Sequence, residues 1–442
     1  MERKHKRFGL LEVLFVLTLV ACSTVLAVGQ ESRATYGDLL REANSQTEAL
    51  KVNEAIYQAT GFGNTFMVVT PGGNVIIDTS SVTNAVRHKQ LLSKVSDGPI
   101  RYIVLTHGHG DHIGGIGQWK QTDTKIVAQR HFIEFRDYQR RLAGYFARSN
   151  AGQFGRDIGN VNVLARTPAR GIELPLIEPD ILFDEEHAFE LGGIRFELLH
   201  TPGENYEELT VWIPQYKAAF VGDNIYESFP NIYTLRGTKP RWALDYVASL
   251  DKVLSLEPEI LLPSHGLPTH GKDKVAARLK RYRDAIQYVH DATVAGMNEG
   301  KDVFTLMREI KLPADLELGE GYGQVSWSVR GIYEGYVGWF DQNPASMYEQ
   351  APTAANEELV KLGGGANAVV DRARAVLKAG QAAMTLRLCD AALAADPNHR
   401  AALELQREAL TQLQSRARNI IEHGWLASSL QRVEKRLQAI RD

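Results

Sequence analysis

The chain has 442 residues, of which 44% are apolar and 23% charged, and 50 basic against 53 acidic side chains leave a net charge of −3. That balance is typical of a soluble globular protein and excludes a disordered, collagenous or multi-span membrane chain; near-cancellation of charge also leaves no polybasic face for nucleic acid. Only Cys22 and Cys389 occur, which excludes both a disulfide framework and a thiolate zinc site within one chain.

The N-terminus reads as a targeting segment over residues 1–27. Arg3, Lys4, Lys6 and Arg7 precede an apolar run from Val13 to Ala21, too short for a membrane-spanning helix and suited to a secretory signal. Leu19-Val20-Ala21-Cys22 resembles a bacterial lipobox, in which Cys22 is lipidated; the alternatives are cleavage after Val25-Leu26-Ala27 and an anchor that stays attached. The expected location is the periplasm or the exterior, with attachment to the outer membrane if Cys22 carries lipid.

Residues 31–60 read as a polar, partly helical lead-in. Phe66 to Val69, the turn Pro71-Gly72-Gly73-Asn74 and Val75 to Ile77 then form a hairpin pattern. Tyr102 to Leu105 is a continuous apolar run, as in a strand buried on both faces. Further strands are predicted at Ile126–Ala128, Ile181–Phe183, Ala188–Leu191, Ile194–Leu199, Leu209–Ile213, Ala218–Val221 and Ile260–Leu262, with helices at Val82–Val95, Trp242–Leu256 and Val275–Gly296. Mixed strands and helices over residues 28–345 indicate a layered α/β catalytic domain. Beyond Trp339-Phe340-Asp341-Gln342-Asn343-Pro344 the pattern is purely helical. Asn367 is expected to cap a helix with the stripe Val369, Ala373, Val376 and Leu377, ending at Gly380. A second helix carries Ala382, Leu386, Cys389 and Leu393; a third, capped by Asn398, carries Ala402, Leu405, Ala409 and Leu413. Residues 346–442 are thus expected to form an α-helical packing or oligomerisation module.

The chemistry concentrates in Thr106-His107-Gly108-His109-Gly110-Asp111-His112-Ile113-Gly114-Gly115, directly after a predicted buried strand. Imidazole and carboxylate donors suit zinc and neighbouring transition metals, and Gly108 and Gly110 are expected to let the backbone turn sharply. His107-Gly-His109-Gly-Asp111-His112 resembles the HxHxDH signature of the metallo-β-lactamase superfamily. That resemblance implies an αββα sandwich with two zinc ions at one edge. It assigns His107 and His109 to the first ion, Asp111 and His112 to the second, Asp223 in Val221-Gly222-Asp223 as the bridging carboxylate, and His265 in Pro263-Ser264-His265-Gly266 as the last histidine.

Where most members carry a histidine after a Pro-Gly turn, this chain reads His200-Thr201-Pro202-Gly203-Glu204. A glutamate there is similar to the alkyl sulfatase branch and makes Glu204 a ligand of the first ion, with Glu207 and Glu208 as spare candidates. Pro230-Asn231-Ile232-Tyr233-Thr234-Leu235-Arg236-Gly237, followed by Arg241, resembles the branch's sulfate-binding segment, and Tyr336-Val337-Gly338-Trp339-Phe340-Asp341-Gln342-Asn343-Pro344 resembles another of its motifs, with Gln342 in place of a glycine. The helical tail resembles the branch's dimerisation domain, which implies a homodimer, although its aromatic-rich closing segment is shortened to Arg418-Asn419 and Gly424-Trp425, and the sterol-carrier-like domain of longer members is missing. The resemblance implies a metal-dependent alkyl sulfatase acting on small anionic sulfate esters, with Asp111 and Asp223 catalytic and Arg236 and Arg241 holding the sulfate. Another hydrolysis on the same scaffold (lactam, lactone, thioester or phosphoester) and a non-enzymatic envelope scaffold are the rivals. Asp78 is expected to organise the metal loop by hydrogen bonds. His131, His187, His290, His399 and His423 read as structural or surface residues, and His200 as either a second-layer partner or strand-end packing.

Overall fold

A computed structural model describes residues 45–154 and 176–440; the expected targeting segment over residues 1–27, with Cys22, lies outside the described residues. Among those described, no helix is long and apolar enough to cross a membrane.

Two sheets form the centre. The first holds β1 (Leu50–Lys51), β2 (Ile56–Ala59), β3 (Thr65–Thr70), β4 (Gly73–Ile77), β5 (Ile100–Val104), β6 (Lys125–Gln129) and β7 (Ile181–Phe183), in sequence order. β1 to β4 are antiparallel and β4 to β7 parallel. The second holds β8 (Glu186–Leu191), β9 (Ile194–His200), β10 (Leu209–Ile213), β11 (Ala218–Phe220), β12 (Ile260–Leu262) and β13 (Thr269–His270), with β11 and β12 parallel and the other pairs antiparallel.

Side-chain alternation builds the layers. Val75 and Ile77 of β4 point inward and pack with Val104, Val127, Phe196, Val211 and Phe220 between the sheets. Ile76, on the opposite face, joins Ile103, Ile126, Leu92, Trp119 and Phe132 under the helices that cover the first sheet. On the far side, Ala219, Val221 and Leu261 pack under Tyr246, Leu250, Leu279, Tyr282 and Ile286 from the helices Ala243–Ser255 and Lys272–Asn298. With both faces covered, every residue of β4 and β10 is buried and neither strand alternates apolar with exposed polar positions. The expected αββα sandwich is present.

Four differences from expectation have physical causes. Residues 50–59, expected to be partly helical, form β1 and β2, because Ile56 and Ala59 are fully buried at the edge of β3. The helix expected to be capped by Asn367 is instead capped two residues earlier, by Gly365, and starts at Ala366; the one expected to be capped by Asn398 is capped one residue later, by His399, and starts at Arg400. His399 Nδ1 accepts from Ala402 N as the cap, while its Nε2 and Asn367 Oδ1 lie 2.9 Å apart, so both side chains are committed to a helix–helix contact. Gly108 carries no left-handed backbone; it is required by close approach, since a Cβ there would stand 2.5 Å from Phe135.

The helix Val325–Val337 still packs on the catalytic body through Val325, Val329 and Ile332. The chain then runs through an exposed stretch before the helices Ala366–Lys378, Ala382–Ala395, Arg400–Arg416 and Ile420–Ala439, which enclose a separate core of Val370, Leu377, Cys389, Leu403, Leu410 and Val433.

Candidate metal centre

The loop after β5 and the ends of β9, β11 and β12 converge at one edge of the sandwich. His109 precedes the single-turn helix Gly110–Ile113, which carries Asp111 and His112. Glu204 follows β9, Asp223 follows β11 and His265 follows β12. All seven expected ligands come together in overlapping triads: His107, His112 and Asp223; Asp111, His112 and His265; and His109, Glu204 and Asp223, with the donor atoms of each triad within 4.8 Å of one another.

His112 Nε2 lies 3.4 Å from Asp111 Oδ2 and 3.5 Å from Asp223 Oδ1, and His265 Nε2 lies 3.4 and 3.2 Å from the same two oxygens. His107 Nε2 is 3.6 Å from Asp223 Oδ2. His112 Nε2, Asp223 Oδ1 and Glu204 Oε2 are buried with no hydrogen-bond partner. Orphaned imidazole and carboxylate atoms converging on one point fit a divalent transition metal, whose coordination would satisfy them.

Electrostatics points the same way. Burial pushes His107 and His109 well below the usual imidazole range. Burial also opposes the charge on His112, yet Asp223, Asp111 and Asp78 outweigh it and raise this group well above that range; His265 is raised for the same reason by Asp223 and Asp111. Burial lifts Glu204 to about 7, against the pull of Arg241. The carboxylates thus favour positive charge at this point, as a cation-binding cluster does.

The backbone around the ligands is fixed by buried acids. Asp78, at φ 54°, accepts from Thr106 N and Thr106 Oγ1 at 2.8 Å each and from Ser264 Oγ at 2.9 Å, and lies 2.9 Å from His112 Nδ1. It thereby joins the two ligand-bearing loops and sets the ring of His112. Glu207 accepts from Gly108 N, and Glu208 from Asp223 N and Asn205 N. These two acids brace the ligand loops and are not members of the triads. Close packing also dictates Gly63, at φ 80°, where a Cβ would stand 2.0 Å from Asp111 O. His200 lies outside the triads, its Nε2 2.8 Å from Tyr206 O.

Arg236 and Arg241 are both buried beside the cluster. Arg236 Nη2 lies 3.1 Å from His109 Nε2, and Arg241 Nη1 lies 2.8 Å from Glu204 Oε1. Arg236 Nε and Arg241 Nε and Nη2 have no partner. Phe135 packs edge-on against His109, and Tyr138 and Tyr145 pack on Phe146 nearby, whereas Trp119 is plain core. Sequence reasoning did not identify Tyr226, whose hydroxyl reaches Asp223 Oδ2 at 3.4 Å and whose ring packs 6.0 Å from His265. It follows Asp223 by three residues, the only signal available.

A profile of the metallo-β-lactamase superfamily matches residues 59–265, and one of the alkyl sulfatase dimerisation region matches residues 305–435. A linear primary-alkylsulfatase from a Pseudomonas species is 31% identical over 391 residues, covering 84% of this chain and 74% of that protein. The chain belongs to the alkyl sulfatase family of the metallo-β-lactamase superfamily. An alkyl/aryl-sulfatase of Saccharomyces cerevisiae is 29% identical over 82% of this chain, of which the chain spans 60%. The solved structure of a stereoselective inverting sec-alkylsulfatase from a Pseudomonas species superposes with a TM-score of 0.81 at 24% identity, over 89% of this chain and 67% of that one, and so shares the fold. Within the family frame, the dimerisation match begins ahead of the boundary expected at 345, taking in the helices that still pack on the catalytic body.

Proposed function

We propose that this chain is a binuclear zinc hydrolase that cleaves alkyl sulfate esters to alcohol and inorganic sulfate. The observation that carries the reading is the buried arginine pair, with unpartnered N–H groups, at the edge of the seven-residue donor cluster. Glu204 engages one nitrogen of Arg241, which leaves the remaining unpartnered N–H groups of the two arginines to bind an anion. A sulfate ester supplies a tetrahedral anionic head whose oxygens match the planar donor fork of arginine. His107, His109 and Glu204 would hold one ion, Asp111, His112 and His265 the other, with Asp223 between them. Such ions supply Lewis acidity and acidify water.

The chain's own residues do the rest. Arg236 and Arg241 bind the sulfate and fix its distance from the cluster. Asp111 and Asp223 orient the nucleophile, and Asp78 holds His112 in one tautomer. Attack at sulfur requires a proton on the departing alcohol; attack at carbon releases sulfate directly and inverts that carbon. We read residues 1–27 as an export signal, supported by the basic start and short apolar run, and residues 346–442 as pairing with a second copy, supported by the dimerisation-region match.

Turnover of dodecyl sulfate beside dodecyl phosphate tests the reading, with both products identified and the label from heavy-oxygen water located. Preference for the phosphate, or for a lactone, would sink it. Arg236→Ala and Arg241→Ala should each lower kcat/KM ten- to hundredfold, the loss of one charge-assisted contact of about 1.5–3 kcal/mol, and Arg236→Lys should recover little. Elemental analysis should give two zinc ions per chain. His109→Ala should abolish activity with an unchanged circular dichroism spectrum, because the three apolar cores of the sandwich exclude the ligands.

A further inference from the structure

Gln153 is completely buried near the end of the helix Ala143–Phe154. Its Oε1 accepts from Arg236 N at 2.8 Å and from Thr234 Oγ1 at 3.1 Å. A backbone N–H can only donate, so the oxygen end of the amide must face it, and the orientation of Gln153 is fixed. One amide oxygen thus grips the first and third residues of the turn Thr234-Leu235-Arg236-Gly237, which closes with Gly237 N donating to Thr234 O at 3.0 Å. Gly237 has φ 93°, and a Cβ there would stand 3.0 Å from the hydroxyl of Tyr145, about two turns earlier on the same helix. The helix therefore holds the arginine turn at two points.

The same helix leans on the C-terminal module. At Gly152 an added Cβ would lie 2.6 Å from Trp425 Cζ3 and 2.7 Å from Cη2, so backbone and indole meet at glycine distance. Trp425 belongs to the helix Ile420–Ala439, whose first turn is tied to the catalytic body: Asn419 Nδ2 donates to Glu320 O at 2.8 Å and Tyr322 O at 2.7 Å, and Ile420 N donates to Gly321 O at 3.0 Å. The sequence motif around Asn419 and Trp425, short as it is, keeps the residues that make these contacts.

We propose that Gln153 is the positioning residue of the sulfate-binding turn, and that Trp425 of the C-terminal helix holds Gln153 in place. The helical module then serves the substrate site of its own chain, apart from any part in pairing two copies. Arg236 carries the guanidinium on a long, rotamer-rich side chain; fixing its backbone removes one source of slack between the clamp and the metal cluster. The inference rests on the reading of Arg236 as the sulfate ligand.

Calorimetric titration of the full-length, metal-replete protein with inorganic sulfate tests it, alongside kinetics on dodecyl sulfate. Gln153→Met keeps the volume and removes the acceptor. It should weaken sulfate binding and raise KM roughly tenfold, with kcat and metal content held within about twofold, the pattern of lost binding common to ground and transition states. Trp425→Ala should weaken sulfate binding less, and the double variant should match Gln153→Met alone, since both act on one contact chain. Unchanged sulfate affinity in Gln153→Met overturns the proposal; additive losses in the double variant overturn the part played by Trp425. If Gln153→Met does not fold, Thr234→Val removes the hydroxyl half of the bridge, and unaltered sulfate affinity there is equally fatal. Arg236→Ala separates the two levels: if it too binds sulfate normally, the arginine clamp fails and the positioning role falls with it.

Discussion

His88 sits fully buried under the first sheet, with Nδ1 3.0 Å from Thr65 Oγ1 and Nε2 3.2 Å from Thr60 O. Burial lowers its pKa to about 4, more than the Thr60 carbonyl restores. The unfolded chain therefore binds a proton that the folded one refuses between about pH 6.5 and 4, and stability falls as pH drops through that window. At pH 5 the expected loss from this group is about 2 kcal/mol relative to pH 7. Denaturant unfolding of the metal-free protein should show the loss, and His88→Gln should be free of that share of it; equal pH slopes for the two would refute the assignment. The sequence could not single out His88, because a lone histidine at a helical position carries no motif. The seven donors were legible for the opposite reason. Four fall within six residues behind a buried strand, and the rest follow strand ends with Pro-Gly, Gly-Asp or Ser-His punctuation. Gln153 was invisible, since its partners lie more than eighty positions away and a glutamine in a helix announces nothing.

Between the catalytic body and the helical module, Asn419 does two jobs. Its Oδ1 accepts from Ile421 N and Glu422 N as the helix cap, while its Nδ2 donates to the two carbonyls of the 320–322 loop. Asn419→Ser keeps a capping oxygen and loses the donors, so it should cost about 1–2 kcal/mol; Asn419→Ala loses both and should cost about 2–3 kcal/mol. Thermal unfolding that ranks the two equally would show that the cap or the tether is idle. Strands rich in apolar residues were readable from sequence, among them β4, read as half of a hairpin, β5, read as buried on both faces, and β10. β1 and β2 escaped because their pattern, Leu50-Lys51 and Ile56-Tyr57-Gln58-Ala59, mixes polar and small residues. Gln58 is buried all the same, its amide donating to Thr60 Oγ1 and Gly266 O. Tertiary partners thus decided what local preference left open.

Among the described residues, the most exposed large apolar side chains fall in one stretch of chain. Trp339 is 75% exposed, Met347 65%, Tyr348 64%, Leu359 60% and Leu362 84%, from the end of the catalytic body into the start of the helical module. Exposed apolar side chains of this kind are the ones expected to meet the second copy. Light scattering should give a dimer for the full chain at micromolar concentration, and Leu362→Glu with Trp339→Ser should shift it to monomer while leaving the circular dichroism spectrum intact; a monomeric parent protein would end the pairing idea. The arginine turn has a different kind of consequence. Residues 224–242 form a single uninterrupted segment between Asp223 and the helix Ala243–Ser255, and they carry both guanidinium groups, while the ligand donors all lie outside it. On the proposed reading, recombination between relatives can therefore exchange the segment that carries both arginines in one crossover pair without touching the codon of a proposed ligand. Such a graft would have to keep Asn224, which accepts from Glu204 N, and Tyr226, which reaches Asp223; on the proposed role of Gln153 it would also need an acceptor at position 153 for the incoming turn, so a library that varies the segment should vary that codon with it.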